Sequence, residues 1–247
     1  MVDKVKAVSH DPSAWTTYLP NVRSSSSTSS TSKYWNCTNI FLVETTSTSV
    51  PSTARFLVAI AGVPASGKTS FAVRLVQHVN TILVARASPA RAILVGLDGW
   101  HLTRAQLDAM ADPRHAHDRR GSHWTFDAPA YLDFVARLRS PSVADCAAIL
   151  YAPSFDHAVK DPTPDAIVLT PAHQIVVIEG LYTMLDIEPW RHAAAKMDER
   201  WWIDIDDARA RTRLVRRHVQ TGVAKDMDEA VWRAENNDED SEWHVLE

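Results

Sequence analysis

The sequence predicts an α/β protein: a three-layer sandwich with a mainly parallel central sheet and helices on both faces. Two observations carry this. Short continuous apolar runs such as "FLVAIA" and "QIVVIE" are bounded by glycine, the mark of strands covered on both faces. Between them lie stretches whose apolar residues recur at helical spacing, so strands and helices alternate along the chain.

The elements follow in order from Arg55. Phe56 to Ala61 reads as a strand ended by Gly62. Phe71, Ala72, Leu75, Val76 and Val79 then define the apolar stripe of a helix. "AILVGL" (Ala92 to Leu97) is a second buried strand. "TRAQLDAM" opens a helix in which Thr103 and Gln106 are spaced as a capping box. Asp127 caps "APAYLDFVARLR", and Pro129 is tolerated there because it falls in the first turn. "AAILYAP" and "QIVVIEG" read as strands, "EPWRHAAAKM" as a helix, and "RWWIDI" as a strand. "DDARARTRLVRRHVQTG" reads as a helix ended by Gly222. No internal repeat is found.

Residues 1–52 differ in character. Serine and threonine dominate, including "SSSSTSSTS" from Ser24 to Ser32, and no period is sustained. Such a segment buries too little apolar surface to offset its ordering entropy, so a mostly disordered leader is expected, followed by one domain over 53–247. The chain has 247 residues, enough for one α/β domain with a substantial core. Its formal net charge of −4 gives no general basic field for nucleic acid or an anionic membrane. The two cysteines, Cys37 and Cys146, argue against a disulfide scaffold or a thiolate metal site and suit a reducing compartment. No apolar run approaches the ~20 residues that span a bilayer, and no signal-peptide core is seen. The expected location is cytoplasmic, with no nucleic-acid or membrane partner.

The chemistry concentrates at "GVPASGKTS". Strand, glycine turn and helix in succession are the context in which Gly62, four residues, Gly67, Lys68 and Thr69 make a phosphate-binding P-loop. Backbone amides across Gly62, Val63, Pro64, Ala65, Ser66 and Gly67, then Lys68, Thr69 and Ser70, would wrap the phosphates at a helix N-terminus. Lys68 would bridge the terminal phosphates, and the Thr69 hydroxyl would ligate Mg²⁺. Ala65 stands where many such loops carry glycine, and its methyl group would crowd the nucleotide slightly. The second strand delivers Asp98 to the same sheet edge, as a proton acceptor or as the cap of a turn. "QIVVIEG" delivers Glu179 there, as a carboxylate for Mg²⁺ or as an ordinary loop acid. On the helix after "RWWIDI", Ala208, Val215 and Val219 form an apolar stripe, with Arg209, Arg213, Arg216 and Arg217 on the adjoining arc. This is either a lid over transferring phosphate or a solvated face.

Taken together, "GVPASGKTS", "LDGWHL", "RRGSHWTFD", "YAPSFDHAVKDP", "VVIEGLY" and "RLVRRHVQTG" resemble, in that order, the uridine kinase, phosphoribulokinase and pantothenate kinase group of P-loop kinases. The resemblance covers roughly residues 55–237 and is nearest to a nucleoside-kinase-like branch of bacteria and fungi. It implies a P-loop NTPase sandwich with a helical lid, ATP with Mg²⁺, and transfer of the γ-phosphoryl group to a hydroxyl of a small metabolite. It further implies that Lys68 and Thr69 hold triphosphate and metal, that Asp98 is the base on the acceptor, and that Arg213, Arg216 and Arg217 are lid candidates, Arg216 on the nucleotide. "YAPSFDHAVKDP" resembles the nucleoside-contacting region of uridine kinases, with Phe155 in place of tyrosine; Phe155 can stack on a ring but donates no hydrogen bond. His101, Arg120, His123, Asp156 and His157 are the polar candidates for acceptor contact. Family members usually continue past an Asn-Asp segment into another strand near the adenine, whereas this sequence ends "AENNDEDSEWHVLE", so an altered nucleotide edge is expected.

Two functions compete: a small-molecule kinase acting on a nucleoside, sugar or vitamin precursor, and a nucleotide-binding regulatory protein of the same fold without efficient turnover. Asp98, Glu179 and the arginine helix together favour the kinase. A GTPase switch is disfavoured because no Asn-Lys-x-Asp signature occurs. A homodimer is left open as an assembly state.

Overall fold

The computed structural model describes residues 4–8, 15–18, 55–140, 148–156 and 159–234. Its centre is β3 (Phe56–Ala61), the strand that leads into the glycine loop. Leu57, Val58, Ala59, Ile60 and Ala61 are all fully buried. Successive side chains point to opposite faces. Leu57, Ala59 and Ala61 therefore enter one apolar cluster, and Val58 and Ile60 the other. A strand covered on both faces has no polar side to alternate with, which is why its sequence is continuously apolar.

The six-stranded sheet runs β2-β1-β8-β3-β7-β4. Four consecutive members, β8 (Glu199–Asp204), β3, β7 (His173–Glu179) and the edge strand β4 (Arg91–Gly96), are mutually parallel. Helix α1 (Lys68–Ala85) covers one face through Ala72, Leu75 and Val79. The other face carries α4 (Ala128–Leu138) and the short α5 (Trp190–Ala194), with Tyr131, Phe134 and Trp190 in a contiguous aromatic cluster. Each such fully buried side chain contributes about 1.5–3 kcal/mol by leaving water. The caps read from sequence are present. Thr103 and Gln106 form the capping box of α2 (Arg104–Asp108), and Asp127 accepts from the Ala130 amide at 3.0 Å.

Four features depart from the sequence reading. First, within the leader expected to lack structure, β1 (Lys4–Val8) pairs antiparallel with β8, and β2 (Trp15–Tyr18) pairs with β1. The "KVKAV" alternation is the period-two signal of β1, five residues long and outweighed by the composition around it. The Ser24–Ser32 run lies outside the described residues. Second, β5 (Leu150–Asp156) stands apart from the parallel sheet and pairs antiparallel with β6 (Asp161–Leu169). Pro162 and Pro164 disguise β6 in the sequence; a hairpin in its own two-stranded sheet tolerates them.

Third, α3 (Pro113–Asp118), capped by Asp112, and α7 (Met227–Arg233), capped by Asp226, are short and were not anticipated. Fourth, α6 (Asp207–Gln220) buries Ala210, Leu214, Val215 and His218 rather than the stripe Ala208, Val215 and Val219. Ala208 sits in the first turn, exposed, before the helix reaches its apolar partners. The polar His218 takes the inward position that a search for apolar residues passes over.

Candidate active site

The loop between β3 and α1 is drawn tight by its own backbone. The Ser66 amide donates to the Val63 carbonyl at 3.1 Å, and the Phe71 amide to the Gly67 carbonyl at 2.9 Å. Gly62 is required by crowding. A Cβ there would lie 2.8 Å from the Ile203 carbonyl oxygen and 2.9 Å from Ser66 Oγ. Ala65 has φ 62, in the left-handed region, which explains why glycine suits that position. An alanine there costs about 1–2 kcal/mol. Its methyl group packs beside the Leu214, Val215, Ala224 and Ala230 cluster of α6 and α7. Ser66 is fully buried, and its Oγ has no hydrogen-bond partner among the described residues.

Glu179 ends β7, in register with Ile60 of β3 on one side and Gly96 of β4 on the other. That register sets its carboxylate between the loop that follows β3 and the one-turn 3₁₀ segment Leu97–Trp100 that follows β4 and carries Asp98. Thr69 Oγ1 donates to Glu179 Oε1 at 3.1 Å. Burial raises the proton affinity of Glu179, the Lys68 charge opposes that rise, the Asp98 carboxylate adds to it, and the Thr69 hydrogen bond opposes it; the net shift is upward. Lys68, Thr69, Asp98 and Glu179, read from three separate motifs, thus share one electrostatic neighbourhood. A hydroxyl and a buried carboxylate, both hard oxygen donors beside a phosphate loop, fit Mg²⁺, which takes few protein ligands and keeps phosphate oxygens and water.

The hairpin and the segment 101–126 pack together beside the turn that carries Asp98, as a second wall. The His101 ring lies 3.9 Å from Phe126 and 4.8 Å from Phe155, centroid to centroid. The Arg120 guanidinium sits 5.6 Å from the Phe155 centroid. Arg120 donates to the Leu102 and Lys160 carbonyls at 2.8 and 2.6 Å and to Asp161 at 3.2 Å. Arg104 reaches the same carboxylate through its amide at 2.9 Å and its Nε at 3.1 Å. Partial burial pulls the Asp161 carboxyl up, but the Arg104 amide and the two guanidiniums outweigh it, and the group ends below the usual carboxylate range. Arg120 is therefore committed to tying the hairpin to residue 102. Asp156 is exposed at the hairpin end, His123 lies near Tyr182 with ring centroids 6.1 Å apart, and His157 lies outside the described residues. Phe126 and Asp161 lie inside "RRGSHWTFD" and "YAPSFDHAVKDP" but were not singled out as site candidates, because each matters only through partners distant in the chain.

On α6, Arg213 is half-buried and Arg216 and Arg217 are exposed. Among the described residues none of their three guanidinium groups makes a hydrogen bond or ion pair; the Arg217 carbonyl accepts from the Thr221 amide at 2.9 Å and hydroxyl at 2.8 Å. At about 100° per residue, Arg213 and Arg217 lie ~40° apart and border the buried stripe, whereas Arg209 and Arg216 face away from it. Ala65 in the loop touches the same apolar cluster, so α6 lies alongside the phosphate cradle.

A glycine loop between a central parallel strand and its helix, with carboxylates from two neighbouring strand ends, defines a P-loop kinase. The chain belongs to the phosphoribulokinase / uridine kinase family, whose model matches residues 57–238, and it is an ATP-dependent kinase of that family. It is 46% identical over 142 residues to the ATP-dependent kinase-like protein notR' of Aspergillus versicolor, covering 58% of this chain and 82% of that protein. It is 31% identical over 207 residues to the ATP-dependent kinase YFH7 of Saccharomyces cerevisiae, covering 71% of this chain and 59% of that longer protein. The crystal structure of YFH7 superposes with a TM-score of 0.66 at 23% identity, over 78% of this chain and 90% of that one, which establishes the shared fold. Among the described residues no helix is long and apolar enough to cross a membrane.

Proposed function

We propose that the protein transfers the γ-phosphoryl group of ATP to a hydroxyl of a small metabolite. The observation that carries this reading is the neighbourhood of Glu179, where Thr69, Lys68 and Asp98 converge at one sheet edge. A protein that only binds nucleotide needs the loop; it has no use for a second carboxylate at the end of the adjacent strand.

The roles follow from the chemistry. The loop amides and Lys68 hold the triphosphate and offset its charge. Thr69 and Glu179 would hold Mg²⁺, which when bound neutralises charge on the phosphates. Asp98 accepts the proton of the acceptor hydroxyl as that oxygen bonds to the γ-phosphorus and the bond from phosphorus to the ADP oxygen breaks. Arg213 and Arg217, on the arc of α6 that borders the cradle side, meet the charge that develops during transfer.

The acceptor sits between Asp98 and the hairpin wall of His101 and Phe155. Because Phe155 is already engaged by His101 and Arg120, a planar base would have to displace one of them to stack there. That supports a compact hydroxylated acceptor, a sugar or vitamin precursor, over a nucleoside. The test is an ATP-consumption screen over sugars, polyols, vitamin precursors and nucleosides, with Asp98→Asn run beside the wild type. Acceptor-dependent ADP release that the variant lacks is the expected result. ATP binding without stimulation by any acceptor would instead favour a regulatory nucleotide-binding role.

A further inference from the structure

Asp98 does not hold its own position. It rides on the single turn Leu97–Trp100, and a turn of that length has little intrinsic stability. What fixes it is His101. The Asp98 carbonyl accepts from the His101 amide at 3.1 Å and lies 2.8 Å from His101 Nδ1. A carbonyl only accepts, so Nδ1 carries the ring proton.

The ring is in turn held by packing from two sequence-distant segments. One is Phe126, whose strip is laced to this one by the Leu102 amide on the Thr125 carbonyl at 2.9 Å and the Asp127 amide on the Trp100 carbonyl at 2.7 Å. The other is Phe155 of the hairpin. The hairpin also bears directly on the turn, where a Cβ at Gly99 would run into the Pro153 carbonyl.

We propose that His101 is the positioning residue for Asp98. Its Nδ1–H locks the turn that aims the carboxylate, and its ring transmits the placement of the hairpin wall to that turn. The inference rests on the reading of Asp98 as the base. An acceptor that seats against Phe155 then sets His101, and through it Asp98, so that the proton acceptor is aligned when the acceptor site is filled. The Asp98 carbonyl is nearly invisible as a functional atom in sequence; the two hydrogen bonds converging on it mark it.

Two substitutions separate the donor from the ring. His101→Asn keeps a side-chain N–H at the position of Nδ1 and removes the ring, whereas His101→Phe keeps the ring and removes the donor. Steady-state kinetics with the acceptor found in the screen should show kcat reduced about tenfold in His101→Phe, with KM for ATP little changed. His101→Asn should recover most of kcat while raising KM for the acceptor, since the contact with Phe155 is gone.

If His101 acts through Asp98, adding His101→Phe to Asp98→Asn costs nothing further; a structural role elsewhere would make the losses multiply. Wild-type kcat in His101→Phe, or multiplied losses in the double variant, overturns the proposal and leaves the kinase reading standing. Absence of turnover in the wild type with every acceptor overturns both. Thermal unfolding of each variant accompanies the kinetics, and should His101→Phe fail to fold, His101→Ala, which also lacks the donor, supplies the same double-variant test on kcat with Asp98→Asn.

Discussion

The two walls of the site are built in opposite ways. The phosphate wall is local. Residues 62–70 close on themselves through backbone hydrogen bonds, and Glu179, distant in the chain, is fastened to them through Thr69. The hairpin wall, which we propose receives the acceptor, is assembled from afar: Arg104 meets Asp161 across 57 positions, and Arg120 meets it across 41. A wall made by backbone geometry tolerates little variation in its sequence, since glycines and a helix start are needed at fixed spacings. A wall made by side-chain packing can be rebuilt with many residues, which lets one phosphate cradle serve different acceptors. The comparison predicts that damage to the first wall abolishes all activity, whereas damage to the second shifts which acceptor is used.

The largest effect belongs to Lys68. Lys68→Ala should abolish turnover and weaken ATP binding while the fold persists, because the charge facing the β- and γ-phosphates is lost. Calorimetric titration with ATP decides it, and unchanged affinity would refute the role. Asp98→Asn comes next. It keeps shape and hydrogen bonding but removes the proton acceptor, so kcat should fall by ~10²–10⁴ with ATP affinity nearly unchanged. Together the two variants separate binding from chemistry within a few ångströms of the same edge.

How much of this was legible in the sequence follows the same division. The strand at Phe56–Ala61, the loop, Asp98 and Glu179 were all readable because a parallel sheet announces its strands as apolar runs and brings their carboxyl ends to one edge. The acceptor wall was readable only as names without partners. Phe155 and Arg120 were noted as candidates for ligand contact, yet the fold has Arg120 bonding two backbone carbonyls and Asp161. The phase of α6 was misread because His218 occupies an inward position, and a polar residue at a buried site leaves no periodic trace. The strands β1 and β2 were hidden by the serine-rich composition around them.

Asp161→Asn tests the acceptor wall directly. The change removes the charge that Arg104 and Arg120 share and replaces one of the two carboxylate oxygens between them with an NH₂ group that cannot accept from a guanidinium. A loss of about 1–3 kcal/mol in stability is expected from the unpaired hydrogen-bonding groups. KM for the acceptor should rise severalfold while ATP affinity stays put. Equal damage to ATP binding would break the contrast between the walls.

Smaller effects are expected on α6. Arg213→Gln and Arg217→Gln should each depress kcat more than they raise KM for ATP, because a lid arginine acts on charge that develops during transfer. Arg216→Gln should be milder, since its arc faces away from the buried stripe. Were all three to turn over like wild type, the helix would be an ordinary charged surface, with stability effects within about ±0.5 kcal/mol.

The smallest effect is a pH dependence in the packing beneath that helix. His218 is buried against α7, and burial first, then the neighbouring Arg217 charge and that of Arg233, hold its proton affinity below the ordinary value of 6.5, with a hydrogen bond to the Ala230 backbone opposing them. As pH falls, the unfolded chain takes up this proton near 6.5, while the folded chain resists it until a lower pH. The unfolded state therefore binds more protons in that interval, and stability declines as pH drops through it. Above 6.5 both states are neutral at this site and the contribution is constant. His218→Gln removes the titration and keeps a side chain that can hydrogen-bond, so the variant should lose less stability than wild type between pH 7.5 and 5.5 in urea unfolding, whatever its absolute value at pH 7.5. Arg217→Gln should make the decline smaller: relieving the repulsion that disfavours the imidazolium raises the folded-state proton affinity toward 6.5 and narrows the interval from below, while its onset, set by the unfolded chain, stays where it is. A decline identical in all three proteins would show that His218 is not the titrating group and that the coupling between the arginine arc and the buried stripe is negligible.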